Sequence, residues 1–536
     1  MPRVVETDVC VIGSGITAAM LVAKLADERD AGVTVVEAGE RPAATGDRPR
    51  LRERYLAYGE NPWPGDHIDG FTVVGRPHGF SPSHTLGGLA MHWGAVTPRF
   101  TPEDFRTRTL FGIGDDWPLE YSDLDRAYEE AEARMGVAGD PGPEHLDPRS
   151  APYPMPGIPL TWNLERLKEW GERTGVPFWG MPSAKNTRPY GGRPACCRHE
   201  TCWPICPIGA KYSPEFTFEA LERAGRLSLL ASTVVRRLRT EPGSERVAVA
   251  EAVDRTAPDE PVEIRARVFV VAAGYVWSPH LLLLSRDARH PDGLANRSGL
   301  VGRHLAGHRG VNAFVEVPFE VYPGMNGQHS LLSTHFMRPD PGGRYLRHDF
   351  RIWESAVGRG ARLRDDTGAV LLGDEILADW RERTRGRGTA RLRGYYDVLP
   401  SRESRVTLHD AERNAFGDPV PVVSFADSEA SAALRRYSEE TIARRFRETV
   451  RAGGGTLLSV RPGDSQEHPG GGCRMGADAA TGVVDSYGRA HEHENLFVVG
   501  APTFVTAGCT NGTLTMAALG VRAAAELGRE FPAREA

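Results

Sequence analysis

The chain has 536 residues, of which 40% are hydrophobic and 25% are charged, and its formal net charge is −6 at pH 7. This length allows two or more domains with large cores, and the mild excess of acid excludes a general affinity for nucleic acid or anionic membranes. No run of the sequence approaches the roughly 20 apolar residues of a membrane span, which excludes a membrane-spanning protein.

The N-terminus contains no apolar signal segment, so we expect a cytoplasmic protein. Export together with a partner that carries a signal is the alternative. The basic stretch at residues 381–394, "RERTRGRGTARLRG", has no interleaved aromatic residues and is interpreted as a solvated face or loop.

A dinucleotide-binding unit is predicted from Asp8 onward by "DVCVIGSGITAAMLVAKLADERDAGVTVVEAGE". An apolar strand leads into Gly13, Gly15 and Ala18, which form G-x-G-x-x-A, and a helical pattern and a second strand follow. Glu37 stands at the end of that second strand, near the spacing of a ribose-binding acid. Amide groups at the helix N-terminus would then bind a pyrophosphate. The motif does not separate FAD from NAD.

A second glycine-dense stretch, "SHTLGGLAMHWGAVTPRF", covers residues 83–100. Gly87, Gly88 and Gly94 allow the backbone to approach a flat ligand, and His92 and Trp93 lie between them. The Pro-rich stretch at 139–160 is interpreted as an extended surface connection.

Four of the seven cysteines, Cys196, Cys197, Cys202 and Cys206, lie within eleven residues. Disulfides suit small secreted scaffolds, and zinc sites usually show a second, distant ligand pair. Cys196, Cys202 and Cys206 could bind one iron–sulfur cluster through three thiolates. The alternative that these cysteines are a structural remnant that binds no metal stays open.

Two further strand–turn–helix units are predicted downstream. "VFVVAAGYVWSPHLLLLS" is a buried strand ending at Ala273-Gly274, followed by an apolar helix that is expected to start near Ser278-Pro279. Near the C-terminus a strand ends at Gly500, and a helix follows from about Thr513. Between these units, residues 404–428 contain short alternating runs typical of strands, and residues 429–455 are predicted to be helical.

His468, in "EHPGGGCRMG", and Asn511, in "CTNGTLT", are two candidates for chemistry. By themselves they would be interpreted as a loop histidine and a helix N-cap. A neutral histidine suits a base, and an asparagine can both donate to and accept from a substrate oxygen.

The order of these segments resembles the glucose–methanol–choline (GMC) flavoprotein oxidoreductases. The resemblance rests on the N-terminal unit, "GGLAMHWGA", "AAGYVWSPHLLL", "GLVGRHL", "HPGGGCRMG" and "TNGTLTMAA". Within that family "HWGAVTPRF" is similar to pyranose oxidases, and the cysteine stretch is similar to glucose dehydrogenase catalytic subunits.

The resemblance implies an α/β fold with a Rossmann-like FAD domain built from residues 1–105, 215–310 and 470–536. Residues 106–214 would form a lid and the cysteine-rich segment. Residues 311–469 would form a substrate domain whose mostly antiparallel sheet is backed by helices.

FAD is the cofactor that the resemblance implies, with His468 as the catalytic base and Asn511 as its partner. Glu37 and Val235 would face the adenosine half of FAD, and a covalent link from His92 to the flavin stays open. A three-iron cluster at Cys196, Cys202 and Cys206 is implied in the same way. Further residues expected to contact FAD are Gly13, Gly15, Ala18, Gly87, Gly88, Trp93, Gly94, Gly274, Gly500 and Thr513.

The expected activity is oxidation of a CH–OH group of a sugar or glycoside by hydride transfer to flavin N5. Electrons would pass to a cytochrome or quinone acceptor, with a small subunit as a possible partner. The alternatives are a pyranose-type oxidase that uses oxygen, a non-redox lyase on the same fold, and an electron-transfer subunit.

Overall fold

The computed structural model describes residues 2–42, 47–63, 73–75, 84–198, 201–321, 329–338, 345–355, 363–365, 367–384, 387–427, 429–463 and 467–534. Its strands are β1 (Arg3–Ile12), β2 (Val33–Val36), β3 (Trp179–Gly180), β4 (Ser228–Leu230), β5 (Thr233–Thr240), β6 (Val247–Asp254), β7 (Pro261–Val271), β8 (Ala306–Glu320), β9 (Leu331–Ser333), β10 (Phe350–Ser355), β11 (Arg387–Asp397), β12 (Arg405–Arg413), β13 (Pro419–Ser424), β14 (Thr456–Pro462), β15 (Glu467–Gly470) and β16 (Leu496–Val498).

The α-helices are α1 (Ile16–Glu28), α2 (Arg48–Tyr58), α3 (Thr107–Phe111), α4 (Tyr121–Met135), α5 (Trp162–Glu172), α6 (Glu215–Arg223), α7 (Gly274–Leu284), α8 (Asp374–Thr384), α9 (Glu429–Gly453) and α10 (Thr513–Leu527). Among the helices that the structure describes, none combines the length and the apolar composition that a bilayer crossing needs.

The first sheet has the strand order β4-β2-β1-β7-β6-β5, and β16 pairs with the C-terminal part of β7. Strands β4, β2, β1, β7 and β16 run parallel, whereas β6 runs antiparallel to both of its neighbours, β7 and β5. The C-terminal parts of β1 and β7, Val9–Ile12 and Val268–Val271, are apolar and buried without interruption, as expected where helices cover both faces of a sheet. Their C-terminal ends meet at one edge, where ligands bind in sheets of this kind.

Helices α1 and α10 pack closely against each other. A Cβ atom on Gly520 of α10 would lie 2.5 Å from the Thr17 carbonyl oxygen of α1, so only glycine allows this approach. The contact brings the N-terminal turn of the chain and its C-terminal helix to the same edge of the first sheet.

The second sheet is antiparallel, with the order β14-β8-β11-β10-β9-β3 and with β15 paired to β8. Alternate residues of β8 are buried against helices α5 and α9, as the period of two along a strand requires. This core includes Val311, Ala313, Val315, Val317, Leu167, Ile442 and Phe446. The α/β fold class and the mostly antiparallel sheet backed by helices are therefore confirmed.

Strand β3 belongs to the second sheet, and helix α5 packs against it. Both elements come from residues 106–214, the segment that was predicted to contain a lid. The division of the chain into the three predicted parts stays a prediction. Strands β12 and β13 form a separate hairpin that packs on α7 through Val406, Val423 and Val276.

Helix α7 begins earlier than the sequence predicts. It starts at Gly274 rather than near Ser278, and Pro279 lies inside it. Proline in a helix interior removes one hydrogen bond. Tyr275 and Val276 are buried in the cluster that joins α7 to the β12–β13 hairpin, and this packing stabilises the extra turn.

Candidate active site

The turn between β1 and α1 has the geometry of a phosphate-binding loop. Gly13 has a φ of +101°, and a Cβ atom there would lie 2.6 Å from the Ala272 carbonyl oxygen. Gly15 is the N-cap of α1, and a Cβ atom on it would meet no protein atom within 4 Å. The protein therefore needs glycine at position 13, whereas the space beside Gly15 is open to a ligand.

Glu37 follows β2 and is held in a fixed orientation. Its carboxylate accepts hydrogen bonds from the Ser14 amide at 3.0 Å, the Ser14 hydroxyl at 2.5 Å and the Gly39 amide at 2.7 Å. Burial raises the pKa of Glu37, and these hydrogen bonds oppose the rise. The carboxylate is thus held beside the Gly13–Gly15 turn, on the wall of one cavity.

That cavity has a volume of about 870 Å³ and lies where the ends of the parallel strands meet. This volume falls in the range of small-molecule and cofactor sites. Most predicted site residues line it: Gly13, Gly15, Glu37, Gly88, His92, Trp93, Gly94, Val235, Gly274, His468, Asn511 and Thr513.

Three predicted cofactor contacts do not line the cavity. Ala18 is fully buried in the core. The Gly87 amide donates to the Ser14 hydroxyl at 2.9 Å, and a Cβ atom on Gly500 would lie 2.6 Å from Thr17 Oγ1. These residues do not line the cavity, but they permit the close packing of the elements that form its wall.

His468 occupies β15 with a φ of +48°, a value that few residues other than glycine adopt. Its Nε2 lies 2.7 Å from Asn511 Nδ2, and its Nδ1 lies 2.7 Å from His308 Nε2. The structure therefore brings the two candidates together, although 43 positions separate them in sequence. His308 was not predicted.

Burial favours the neutral form of His468. Burial lowers the pKa of His468 to about 4, Glu467 opposes this change, and Arg351 and Arg393 add to it. Glu467 itself pairs with Arg393 and accepts from the Tyr395 hydroxyl at 2.7 Å. A neutral imidazole at physiological pH can accept a proton, as a general base must.

The cysteine-rich loop, whose described residues are 195–198 and 201–214, lies next to the backbone around His92. Lys211 is buried, and its ammonium group donates to the carbonyl oxygens of Met91, at 3.1 Å, and Trp93, at 2.8 Å. The Trp93 indole donates to the Tyr212 carbonyl oxygen at 2.8 Å. These bonds attach the loop to the backbone on both sides of His92.

Three of the four clustered thiols are near one another. Cys202 and Cys206 are buried, Cys196 is half-buried and Cys197 is exposed, and none of the four forms a disulfide bond. Burial raises the pKa of Cys196, and the adjacent Cys202 and Cys206 add to the rise. Within the described ranges, no set of ligand atoms compact enough for a single metal ion includes these thiols. A mononuclear zinc site is therefore not found there.

Comparison with known proteins identifies the family to which these residues belong. The model of the GMC oxidoreductase family matches residues 400–520, which contain His468 and Asn511. The fructose dehydrogenase large subunit of Gluconobacter japonicus is 31% identical to the chain over 549 residues, covering 97% of each protein. The chain belongs to the GMC oxidoreductase family. It is accordingly an FAD-dependent oxidoreductase that acts on CH–OH groups.

Two further proteins are similar to this GMC oxidoreductase. The 6'''-hydroxyparomomycin C oxidase of Streptomyces lividus is 31% identical, covering 96% of this chain and 90% of the relative. Among solved structures, a formate oxidase variant from Aspergillus oryzae, studied for its FAD modification, has a TM-score of 0.64 at 15% identity. That match covers 98% of both chains and supports the fold.

The sequence analysis missed several residues of the cavity wall in this GMC oxidoreductase. Arg236 and Asp418 form an ion pair at 2.7 Å, and Asn414 stands beside them, so the β12–β13 hairpin closes one side. Trp203 and Pro204 of the cysteine-rich loop form another part of the wall. The alternating runs at residues 404–428 predicted strands, but nothing local in the sequence shows what these strands cover.

Proposed function

We propose that this GMC oxidoreductase oxidises a CH–OH group of a sugar or glycoside to the carbonyl. The observation that carries the proposal is the His468–Asn511 pair on the wall of the cavity that also contains the Gly13–Gly15 turn and Glu37. When bound there, FAD accepts the hydride from the substrate carbon. Two relatives, a fructose dehydrogenase subunit and a hydroxyparomomycin oxidase, are named for sugar-type molecules.

The residues present fit FAD, and different residues would bind the cofactor and accept the substrate proton. The amides at the start of α1 would bind the pyrophosphate, and Glu37 and Val235 line the cavity where the adenosine half is expected. His468 Nε2 would take the hydroxyl proton as the hydride leaves. Asn511 Oδ1 has no hydrogen-bond partner within the described residues, so it can accept a hydrogen bond from a second hydroxyl of the substrate.

The substrate class is tested by comparing kcat/KM for ketohexoses, aldohexoses, aminoglycosides and 2-methyl-1,2-propanediol with a dye as electron acceptor. We expect at least one sugar or aminoglycoside to exceed the diol by about tenfold or more, equal to about 1.4 kcal/mol of transition-state binding. A diol that exceeds every sugar would contradict the sugar assignment but leave the CH–OH chemistry intact.

We also propose that Cys196, Cys202 and Cys206 hold a three-iron cluster that passes electrons one at a time to a cytochrome or quinone acceptor. Two buried lysines support this proposal. Burial raises the pKa of Cys196, the positive charge of Lys185 opposes that rise, and Lys211 is within electrostatic range of Cys202 and Cys206. Thiolate ligands carry negative charge, which buried ammonium groups stabilise. The relative that is a large subunit supports a second, smaller partner chain.

Iron analysis of protein prepared without oxygen tests the cluster. We expect about three irons per flavin and an EPR signal from the oxidised cluster. Cys202→Ser should abolish the signal and slow electron delivery to a cytochrome, while flavin reduction by substrate stays within about threefold because the cavity's base is unchanged. Cys197→Ser, at the exposed neighbour, is the matched control and should change none of these quantities.

Iron-free protein with full acceptor activity would refute the cluster. If oxygen then supported the same turnover as a cytochrome, the oxidase alternative would replace the dehydrogenase proposal.

A further inference from the structure

His308 lies behind His468, on the side away from Asn511, and the three side chains form one line of hydrogen bonds. His308 Nε2 is 2.7 Å from His468 Nδ1, and His308 Nδ1 is 3.2 Å from the Gly508 carbonyl oxygen. His308 is fully buried, and the Tyr395 ring packs on it with a centroid distance of 4.3 Å. The line therefore begins at a backbone carbonyl and ends at the cavity.

The Gly508 carbonyl determines the direction of every bond in this line. A carbonyl oxygen only accepts, so His308 must carry its proton on Nδ1. Burial lowers the pKa of His308 well below its usual value, and the nearby His468, Arg351 and Arg393 add to the effect, so this imidazole is neutral. Its Nε2 is then an acceptor, and His468 must donate from Nδ1. His468 Nε2 then accepts the hydrogen bond that Asn511 Nδ2 donates at 2.7 Å.

The opposite direction places two acceptors against each other. If His468 carried its proton on Nε2, its Nδ1 would accept from His308 Nε2, and the lone pair of His308 Nδ1 would face the Gly508 carbonyl oxygen. Two facing lone pairs repel, and a buried acceptor without a donor is costly, at roughly 1–3 kcal/mol. The tautomer with its lone pair at Nε2, where it accepts from Asn511 in this structure, is the one that can accept a substrate proton.

We propose that His308 is a positioning residue that fixes the tautomer of His468, so that Nε2 presents its lone pair to the substrate hydroxyl. This inference rests on the proposed role of His468 as the base. Strand pairing holds the arrangement in place, because His308 on β8 is directly opposite Glu467 on β15, the residue before His468. The titratable and charged groups that contribute to the pKa of the two imidazoles are Glu467, Arg351 and Arg393.

Three substitutions of His308 test the proposal in the FAD-loaded enzyme under anaerobic conditions. His308→Leu removes the acceptor, and the rate constant of flavin reduction should fall by about 10²-fold or more, since a wrong tautomer can cost up to about 10⁴ in catalysis. His308→Gln keeps an amide oxygen near the position of Nε2 and should recover the rate to within about tenfold of wild type. The substrate dissociation constant should change by less than about threefold in both, because His308 does not touch the substrate.

His308→Asn is the matched control, since its amide is one carbon shorter and reaches the Gly508 carbonyl but not His468. It should resemble the leucine variant in rate and the glutamine variant in FAD content and melting temperature. If the leucine variant does not hold FAD, the Asn–Gln comparison alone decides. Equal rates in those two variants would overturn the proposal, as would a leucine variant with normal rate. The proposed function is judged separately, by wild-type reduction and by His468 variants.

Discussion

Replacing His468 with alanine is expected to leave FAD bound and to lower the rate constant of anaerobic flavin reduction by about 10²-fold or more. The imidazole lies on the cavity wall, its Nε2 faces Asn511, and burial keeps it neutral. Without it, the hydroxyl proton has no acceptor as the hydride leaves. Stopped-flow absorbance near 450 nm, where oxidised flavins absorb, measures this rate constant.

The control for this substitution is His145→Ala, because His145 is an exposed histidine. It should leave the rate unchanged. In the wild type the rate constant should be level above about pH 5 and fall at lower pH, since the pKa of His468 is lowered to about 4 and its protonated form cannot accept a proton. A near-normal rate in His468→Ala would assign the role of base to another residue.

Two alanine substitutions in the β1–α1 turn should have different consequences. Gly15→Ala adds a methyl group that meets no protein atom within 4 Å, so the melting temperature of the apoprotein should stay close to wild type. If the pyrophosphate occupies that space, FAD affinity should fall by about tenfold or more, equal to about 1.4 kcal/mol. FAD titration followed by fluorescence measures the affinity.

Gly13→Ala should instead destabilise the apoprotein, because its Cβ atom would lie 2.6 Å from the Ala272 carbonyl oxygen at a φ of +101°. Strain of this kind costs about 1–3 kcal/mol. The contrast separates a ligand contact at position 15 from a packing constraint at position 13. Unchanged FAD affinity in Gly15→Ala would place the pyrophosphate elsewhere.

The parts of the site that lie close together in sequence could be predicted. The strand, turn, helix and acid from Val9 to Glu37 form one local unit, although the steric constraint on Gly13 comes from Ala272, which is distant in sequence. The pairing of His468 with Asn511 came from the family resemblance, because residues 43 positions apart meet only through the tertiary fold.

The parts that depend on long-range strand pairing could not be predicted. His308 reaches His468 because β8 pairs with β15, across 160 positions of sequence. The early start of α7 depends on packing against the distant β12–β13 hairpin. The sequence prediction instead used the preference of proline for the first position of a helix, which depends only on neighbouring residues. The buried lysines beside the thiols, Lys185 and Lys211, showed no pattern that distinguishes them from surface lysines.

The most direct test of the central claim is the visible spectrum of the FAD-loaded wild-type protein, recorded without oxygen before and after the addition of sugars and alcohols. The claim is that FAD in the cavity beside His468 accepts a hydride from a CH–OH group. It predicts that at least one sugar bleaches the band near 450 nm fully and is converted to the corresponding carbonyl compound, one molecule per flavin. A band that no sugar or alcohol bleaches, in protein whose flavin is reduced by dithionite, would contradict it.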